Sequence, residues 1–374
     1  MPEYLTSKQA AERLGISIST LYRMTDSGIL TPSRTPGGQR RYSSEILEKY
    51  IEDSKNIVAP QNPHQQKQLQ LQLQLQDPEP MEQESEVVSV DPRNKLNDLV
   101  GKEWIQETKS YMFQKGLGAN HPEARIERQH PAPFSFQDVG RLIAFFTKKG
   151  QTVLDPFGGV GSTIKACAQQ KRKGIQIELS EKWHNLAIQR IETEVSPDEV
   201  DNHRFILGDS LQELALMPSD SVDFVVTSPP YWSILNKKLD HKTKERAVQS
   251  LATHYSESER DLGNVVDYEE FLSLLVRNVF GECGRILQKD KYICIVVSDF
   301  RNKSEYISFH SDLISRLNHY QLPDDCEYQL QGTKVLLQNH KSLMPYGYPF
   351  AYVENIHHQY ILIFKKVKGK RGNK

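Results

Sequence analysis

Cysteine is scarce in this chain of 374 residues: there are four, Cys167, Cys283, Cys294 and Cys326. Their spacing fits neither a metal-ligand set nor a disulfide framework, so reduced thiols and no bound metal are expected. No apolar run approaches the length needed to cross a bilayer, and the opening Met-Pro-Glu-Tyr carries no basic-then-apolar leader pattern. Both absences point to a cytoplasmic protein with no membrane partner. Net charge is missing too, since 47 Lys and Arg stand against 48 Asp and Glu. A polyanionic partner must therefore be held by local basic surfaces. No Gly-Lys-Ser or Gly-Lys-Thr is present to hold a triphosphate.

What is present is unevenly spread. The length suits one large domain plus a small one. With 37% hydrophobic and 25% charged residues, a core is attainable only if part of the chain is unusually polar. That part is residues 57–95. Pro60, Pro63, Pro78, Pro80 and Pro92 interrupt regular structure there, and a Gln-Leu alternation runs from Gln68 to Gln76. Glu79, Glu82, Glu84 and Glu86 make its end acidic. A flexible tether is the reading, although period-two alternation also fits a strand.

Residues 1–56 read as a compact unit. Thr6 and Gln9 fit a capping box before a helix, Lys8 to Leu14, which Gly15 ends. Ser17 caps a second helix, Ile18 to Ser27, which Gly28 ends. Residues 29–42 read as two short strands joined by a Pro-Gly-Gly turn, and a third helix starts at Ser43 or Ser44. This unit resembles the winged helix-turn-helix of the MerR and excisionase-like families, most specifically in Arg34-Thr35-Pro36-Gly37-Gly38 and Arg40-Arg41-Tyr42. The resemblance implies binding of double-stranded DNA. Ser19, Thr20 and Arg23 on the second helix, and Arg34, Arg40 and Arg41 on the wing, are the candidate contacts. The plainer alternative is a small helical domain for protein contacts.

Residues 96–366 alternate apolar runs with helical patterns, which argues an α/β fold with a mainly parallel sheet. Strands are expected around Val153-Leu154, Gly174–Glu178, Phe205–Leu207, Val222–Val226, Tyr292–Val297 and Tyr360–Phe364. The basic end, residues 367–374, reads as a tail. Between the first strand and a helix lies Asp155-Pro156-Phe157-Gly158-Gly159-Val160-Gly161-Ser162-Thr163. Glycines there allow a tight turn and close approach of backbone to a ligand. Glu178 ends the next strand, where an acid can accept both hydroxyls of a ribose, and Asp209 follows the third, within reach of an adenine edge. Singly, each could be a solvated carboxylate. Their shared place at carboxyl ends of strands favours ligand contact. Farther on stands Thr227-Ser228-Pro229-Pro230-Tyr231-Trp232.

The glycine loop and Ser228-Pro229-Pro230-Tyr231 together resemble the DNA N4-cytosine/N6-adenine amino-methyltransferase family. The likeness extends to His130-Pro131-Ala132-Pro133-Phe134, similar to that family's methionine-binding segment. It implies a Rossmann-like methyltransferase fold and S-adenosyl-L-methionine as cofactor. His130, Pro131, Phe134, Asp155, Pro156, Phe157, Gly158, Gly159, Gly161, Ser162, Thr163, Glu178 and Asp209 are then its expected contacts. The order, cofactor loop before catalytic tetrapeptide, resembles one of the family's circularly permuted classes. An obvious large target-recognition insert is absent.

An exocyclic base amine is a poor nucleophile because its lone pair is delocalised into the ring. Ser228 Oγ and the Pro229 carbonyl are the acceptors that can take its hydrogens and aim the lone pair. Consecutive prolines stiffen the loop. Tyr231 can stack on an extruded base, supported by Trp232. In the family, serine in first place usually accompanies cytosine N4, and aspartate or asparagine adenine N6. Cytosine N4 is therefore the expected target, with adenine N6 the alternative. Cytosine C5 chemistry needs a cysteine nucleophile, and no Pro-Cys pair exists. Lys237, Lys238, Lys242, Lys244 and Arg246 follow the motif. They read as a phosphate clamp or as a solvated face. Remaining readings are an RNA base methyltransferase or a cofactor-sensing regulator, and a cognate restriction endonuclease is a possible partner. His357 and His358 adjoin, but neighbours on a strand face opposite ways, so no metal is expected there.

Overall fold

The computed structural model describes residues 4–14, 16, 18–26, 30–35, 40–55, 89–114, 121, 123–130, 134–232, 261–302, 305–339 and 341–369. The tether at 57–88, the turn at 36–39, the helix-flanking Gly15, Ser17 and Gly28, and residues 370–374 lie outside them. The chain divides into two compact units, 1–86 and 87–374.

The first unit contains β1 (Tyr4–Thr6), α1 (Ser7–Leu14), α2 (Ile18–Asp26), β2 (Ser33–Arg34), β3 (Arg40–Ser43) and α3 (Ser44–Lys55). The capping box forms as expected: Thr6 N–H donates to Gln9 Oε1 at 3.0 Å, and Gln9 N–H donates to Thr6 Oγ1 at 3.4 Å. Strands β2 and β3 pair antiparallel, Ser33 with Arg41 and Arg34 with Arg40. The expected layout lacked β1, which pairs with the other edge of β3. Three residues are too few to show a period. Leu5, Ala10, Leu21, Leu30, Tyr42 and Leu47 are buried together.

The second unit opens with α4 (Gly101–Glu107), β4 (Tyr111–Phe113), α5 (Ala124–Glu127) and α6 (Phe136–Phe146). Then strands and helices alternate: β5 (Thr152–Asp155), α7 (Ser162–Gln169), β6 (Lys173–Glu178), α8 (Glu181–Glu194), β7 (Arg204–Leu207), α9 (Ser210–Glu213) and β8 (Val222–Thr227). After residue 261 come α10 (Tyr268–Leu274), α11 (Gly281–Ile286) and β9 (Leu287–Val297). The chain ends with β10 (Phe300–Asn302), β11 (Glu305–Ile307), α12 (Phe309–Leu317), β12 (Gln321–Leu322), β13 (Cys326–Leu337) and β14 (His358–Lys368).

One sheet organises this unit, in the order β12-β13-β14-β9-β8-β5-β6-β7, with β4 also pairing β13. The run from β9 to β7 is parallel. β14 is antiparallel to both β9 and β13. The strand order reverses at β5, the point where open Rossmann-like sheets leave a crevice at their carboxyl ends. Buried residues pack on both faces, with Leu154, Val225 and Ile295 on one and Val153, Val226 and Cys294 on the other. That two-sided burial accounts for the continuous apolar runs.

One expectation is extended and one is corrected. The sheet is mainly parallel, as expected, but β12, β13 and β14 add an antiparallel end, because the polar-looking Cys326–Leu337 is a twelve-residue strand. The tail assigned to 367–374 starts too early: β14 runs to Lys368, which pairs with Cys326. Lys366 is buried, and its Nζ donates to Asp220 Oδ1 at 2.8 Å and to the Leu287 carbonyl at 2.6 Å. Its basic side chain serves the fold. Among the described residues, no helix is long and apolar enough to cross a membrane.

Candidate active site

Four neighbouring parallel strands end around one cavity. Asp155 closes β5, Glu178 closes β6, Asp209 follows β7, and Ser228 follows β8. The cavity is also lined by Pro156, Phe157, Gly158, Gly159, Ser162, His130, Phe134 and Pro230. Residues expected to bind cofactor and residues expected to do chemistry thus share one wall. Gly161, Thr163, Pro229 and Tyr231 adjoin these residues in the chain but are not part of the lining.

The glycine loop is held by its backbone. Gly159 (φ 51°) and Gly161 (φ 77°) adopt the left-handed region that side chains rarely tolerate. A Cβ at Gly161 would press on Ala187 of α8 at 3.0 Å. Gly159 N–H donates to Glu178 Oε2 and Ser180 N–H to Oε1, each at 2.8 Å. Burial raises the Glu178 carboxyl from near 4.5 to about 7 against those two amides. Each of its oxygens can still accept a further hydrogen bond.

Asp155 is buried, and its carboxylate binds the protein itself. Oδ2 accepts from Thr163 Oγ1 at 2.5 Å, while Oδ1 accepts from Thr227 Oγ1 at 2.6 Å and from Phe157 N–H at 3.0 Å. Burial raises its pKa, and the two threonine hydroxyls oppose that shift. Asp155 therefore bolts the glycine loop to the end of β8, one residue before Ser228. Asp209 caps α9 by accepting from Leu211 N–H at 2.9 Å.

Tyr231 is anchored at its tip. Its hydroxyl accepts from Ser298 N–H at 3.0 Å and from Gln359 Nε2 at 3.2 Å. Burial pushes the phenol up; the contacts to Gln359, Ser298 and Ser228 oppose it. Its ring meets Phe300 and Phe309 edge-on, with centroids 6.4 and 6.2 Å away. Trp232 Nε1 donates to the Val265 carbonyl at 2.9 Å, which fixes the far side of the motif.

His130 is buried, with its ring edge-on to Trp183 at 5.1 Å. Its segment is clamped by charges beneath the cavity. Arg190 donates to Glu127 Oε2 at 2.7 Å, Glu194 Oε2 at 3.0 Å and Ser162 Oγ at 3.0 Å. Lys165 reaches Glu194 at 2.7 Å and Glu123 at 2.9 Å. Both cations are fully buried.

Several of these residues escaped the sequence reading. Ser210 donates to the Pro156 carbonyl, and Trp183, Leu179, Asp261 and Leu262 complete the cavity wall. Asp261 falls just past the undescribed 233–260, where no motif pointed to it. Asp299, beyond β9, holds His310 Nδ1 at 2.7 Å and the Tyr306 hydroxyl at 3.0 Å.

Other expected residues lie elsewhere. Pro131, Lys237, Lys238, Lys242, Lys244 and Arg246 are outside the described residues, as are the side chains of Ser19, Arg23 and Arg34. In the first unit, Thr20 is half-buried on α2, and the Arg40 guanidinium lies 4.8 Å from the centre of the Tyr22 ring. Arg41 Nη1 donates to the Arg40 carbonyl at 3.3 Å. His357 Nδ1 lies 3.0 Å from the Asn355 carbonyl, and the His358 ring is edge-on to Tyr360. Among the described residues, no cluster of three or more His, Cys, Asp or Glu is placed to hold a metal ion.

A family model described as DNA methylase matches residues 19–189 and 222–373, more than half of the chain. The chain belongs to this DNA methylase family. Both matched segments carry the site, one the glycine loop and the other Ser228-Pro229-Pro230-Tyr231. Type II methyltransferase M.BglI of Bacillus subtilis is 33% identical over 105 residues, 28% of this chain and 28% of its own length. Type II methyltransferase M.MjaI of Methanocaldococcus jannaschii is 41% identical over 63 residues, 17% of this chain and 20% of its own. The aligned portion thus spans 28% of the first relative and 20% of the second. Among solved structures, TrmN from Thermus thermophilus overlaps at a TM-score of 0.40 with 15% identity, covering 65% of this chain and 53% of that one. At that level the overlap carries no weight beside the strand order.

Proposed function

We propose that this DNA methylase-family chain transfers a methyl group from S-adenosyl-L-methionine to the exocyclic N4 of cytosine in double-stranded DNA. The observation that carries this reading is the shared cavity: the glycine loop and Ser228 line one wall, tied by the Asp155–Thr227 hydrogen bond. The residues present fit the cofactor. A left-handed glycine turn gives its backbone a close approach, and the Glu178 carboxylate keeps acceptor capacity for a ribose diol. Asp209, Phe157, His130 and Phe134 would complete its holding. When bound, S-adenosyl-L-methionine supplies an electrophilic methyl group on a sulfonium centre.

The chain's own residues do the rest. Ser228 Oγ and the Pro229 carbonyl accept the two hydrogens of the target amine and direct its lone pair. Tyr231, pinned by Ser298 and Gln359, holds that loop in place. No covalent enzyme intermediate is needed, so catalysis comes from orientation and fixed dipoles. Residues 1–56 act as a winged helix-turn-helix that binds DNA, with α2 in a groove and the β2–β3 wing along phosphates. The tether then raises the local concentration of the enzyme near its target.

The deciding experiment is mass spectrometry of nucleosides from duplex DNA incubated with the protein and S-adenosyl-L-methionine. N4-methylcytosine is the expected product. N6-methyladenine would keep the fold and the cofactor and transfer the target to the alternative base. Methylation of RNA with none of DNA would overturn the reading.

A further inference from the structure

The connection between β13 and β14 exposes aromatic rings in a way that nothing else in the unit does among the described residues. It reads Tyr346-Gly347-Tyr348-Pro349-Phe350-Ala351-Tyr352. Every second residue is a ring, and Tyr348, Phe350 and Tyr352 are 82%, 93% and 84% exposed. Isolated exposed apolar residues are ordinary, but three large exposed rings within five residues of one loop mark a surface that meets a partner. The loop around them is built. Met344 N–H donates to Asn355 Oδ1 at 2.9 Å, and Asn355 Nδ2 donates back to the Met344 carbonyl at 2.8 Å. Phe350 and Ala351 N–H both donate to the Gly347 carbonyl at 2.7 Å.

Its position identifies the partner. β14 runs antiparallel to β9, so the loop leaves the sheet at the carboxyl edge of the parallel strands, the edge that carries Ser228. Its neck touches the catalytic motif. Gln338 N–H donates to the His357 carbonyl at 2.8 Å, and Gln359 Nε2 reaches the Tyr231 hydroxyl at 3.2 Å. Between the loop and β10 lies a groove whose lining includes Arg301, Lys341, His357 and a single acid, Glu354. Cations next to unburied rings suit a polyanion that carries flat apolar bases.

We propose that the 343–353 loop is a nucleobase wedge. Its rings stack on bases left unpaired when the target nucleotide is drawn out of the duplex, and Arg301 and Lys341 take the adjoining phosphates. A base inside a helix is out of reach of Ser228, and the energy of extrusion has to be met by new stacking. This rests on the reading of the chain as a DNA methyltransferase. It gives the second unit a DNA contact of its own where no large recognition insert is evident.

The test is the triple variant Tyr348→Ala/Phe350→Ala/Tyr352→Ala, whose side chains are exposed and outside the core. The substrates are a duplex carrying the site mapped with the wild-type enzyme and the same duplex with the target base mismatched. On the matched duplex, kcat/KM is expected to fall on the order of 1,000-fold, since three rings are removed and each stacked ring is worth about tenfold. On the mismatched duplex, where extrusion costs little, most of the rate is expected to return. Affinity for S-adenosyl-L-methionine should not change. Wild-type rates on the matched duplex, or an equal loss on both duplexes, would overturn the wedge. So would unchanged methylation with altered self-association, which makes the rings a protein contact. If the wild-type chain binds S-adenosyl-L-methionine but methylates no DNA, the functional reading itself fails, and the wedge with it.

Discussion

Thr227 donates its hydroxyl to Asp155 at 2.6 Å, joining the last residue of β8 to the last residue of β5. The two strands are already neighbours in the sheet. What the bond adds is the aim of the loops that leave them, one rich in glycine and one beginning at Ser228. Replacing Thr227 with Val keeps the shape and leaves a buried carboxylate oxygen one donor short. Such a loss costs about 1–3 kcal/mol. Thr227→Val is therefore expected to lower the melting temperature and to lower kcat more than it raises the KM for S-adenosyl-L-methionine. An unchanged melting curve with normal turnover would show that the bond does not matter.

Glu178 predicts a pH dependence. Its carboxyl titrates at about 7 when buried in the fold, against an ordinary value near 4.5. A raised acid favours the folded state when protonated. Stability from this group is therefore full below about pH 4.5, falls as pH rises through 7, and stays low above. The upper bound is about 3 kcal/mol at 1.36 kcal/mol per pH unit. Glu178→Gln should flatten that part of the stability profile. Cofactor hydroxyls that donate to the carboxylate favour its charged form, so affinity for S-adenosyl-L-methionine should rise with pH up to about 7. Calorimetry in buffers of different ionisation enthalpy would detect the proton released near neutrality.

Ser228→Ala separates chemistry from binding. The hydroxyl is expected to act on the target amine and not on the cofactor. Single-turnover methylation should slow on the order of 100-fold, the usual cost of one positioned hydrogen-bonding group. The dissociation constant for S-adenosyl-L-methionine should stay within a factor of about two. A full methylation rate in this variant would remove Ser228 from the mechanism.

The motifs were legible because each is a local run at a strand end: Asp155 to Thr163, Glu178, Asp209, and Ser228 to Tyr231 could all be placed from neighbours in the chain. Partners of those residues were not. Ser210 meets Pro156, and Gln359 meets Tyr231, across 54 and 128 positions, and a side-chain bond of that span leaves no periodic trace. Lys165 and Arg190 look like solvent-facing helix cations in sequence and are fully buried in the fold, because Glu127 and Glu194 arrive from other turns of the chain. β13 was hidden for a related reason. Its Gln329, Gln331, Thr333 and Lys334 are polar, and pairing with β14 defines the strand where hydrophobic alternation does not.

The same buried charges yield a stability prediction. Arg190 is wholly buried and bonded to Glu127, Glu194 and Ser162. Removing one partner from a buried ionic network leaves the others desolvated and costs about 3–5 kcal/mol. Arg190→Ala is expected to show that loss in urea denaturation and to weaken S-adenosyl-L-methionine binding, since Glu127 leads into the segment that carries His130. Removing the Arg190 and Glu127 charges together, with Arg190→Met and Glu127→Gln, leaves Glu194 paired with the buried Lys165 and should recover part of the stability. If Arg190→Ala melts like the wild type, the network is ornamental.

The first unit can be tested apart from catalysis. Arg40 and Arg41 stand on β3, where Arg41 pairs with Ser33 and Arg40 with Arg34 of β2, in the hairpin proposed as the wing. Each phosphate contact that is lost reduces the slope of log affinity against log salt by about 0.9. Arg40→Ala/Arg41→Ala is therefore expected to shallow the slope by up to about 2 and to weaken DNA binding most at low salt. Arg40 also packs on Tyr22 of α2, so the melting curve of the variant must be compared with that of Arg41→Ala alone. Turnover at saturating DNA should be unaffected, because neither arginine belongs to the unit that carries Ser228. A salt slope equal to that of the wild type would remove Arg40 and Arg41 from the proposed DNA contacts.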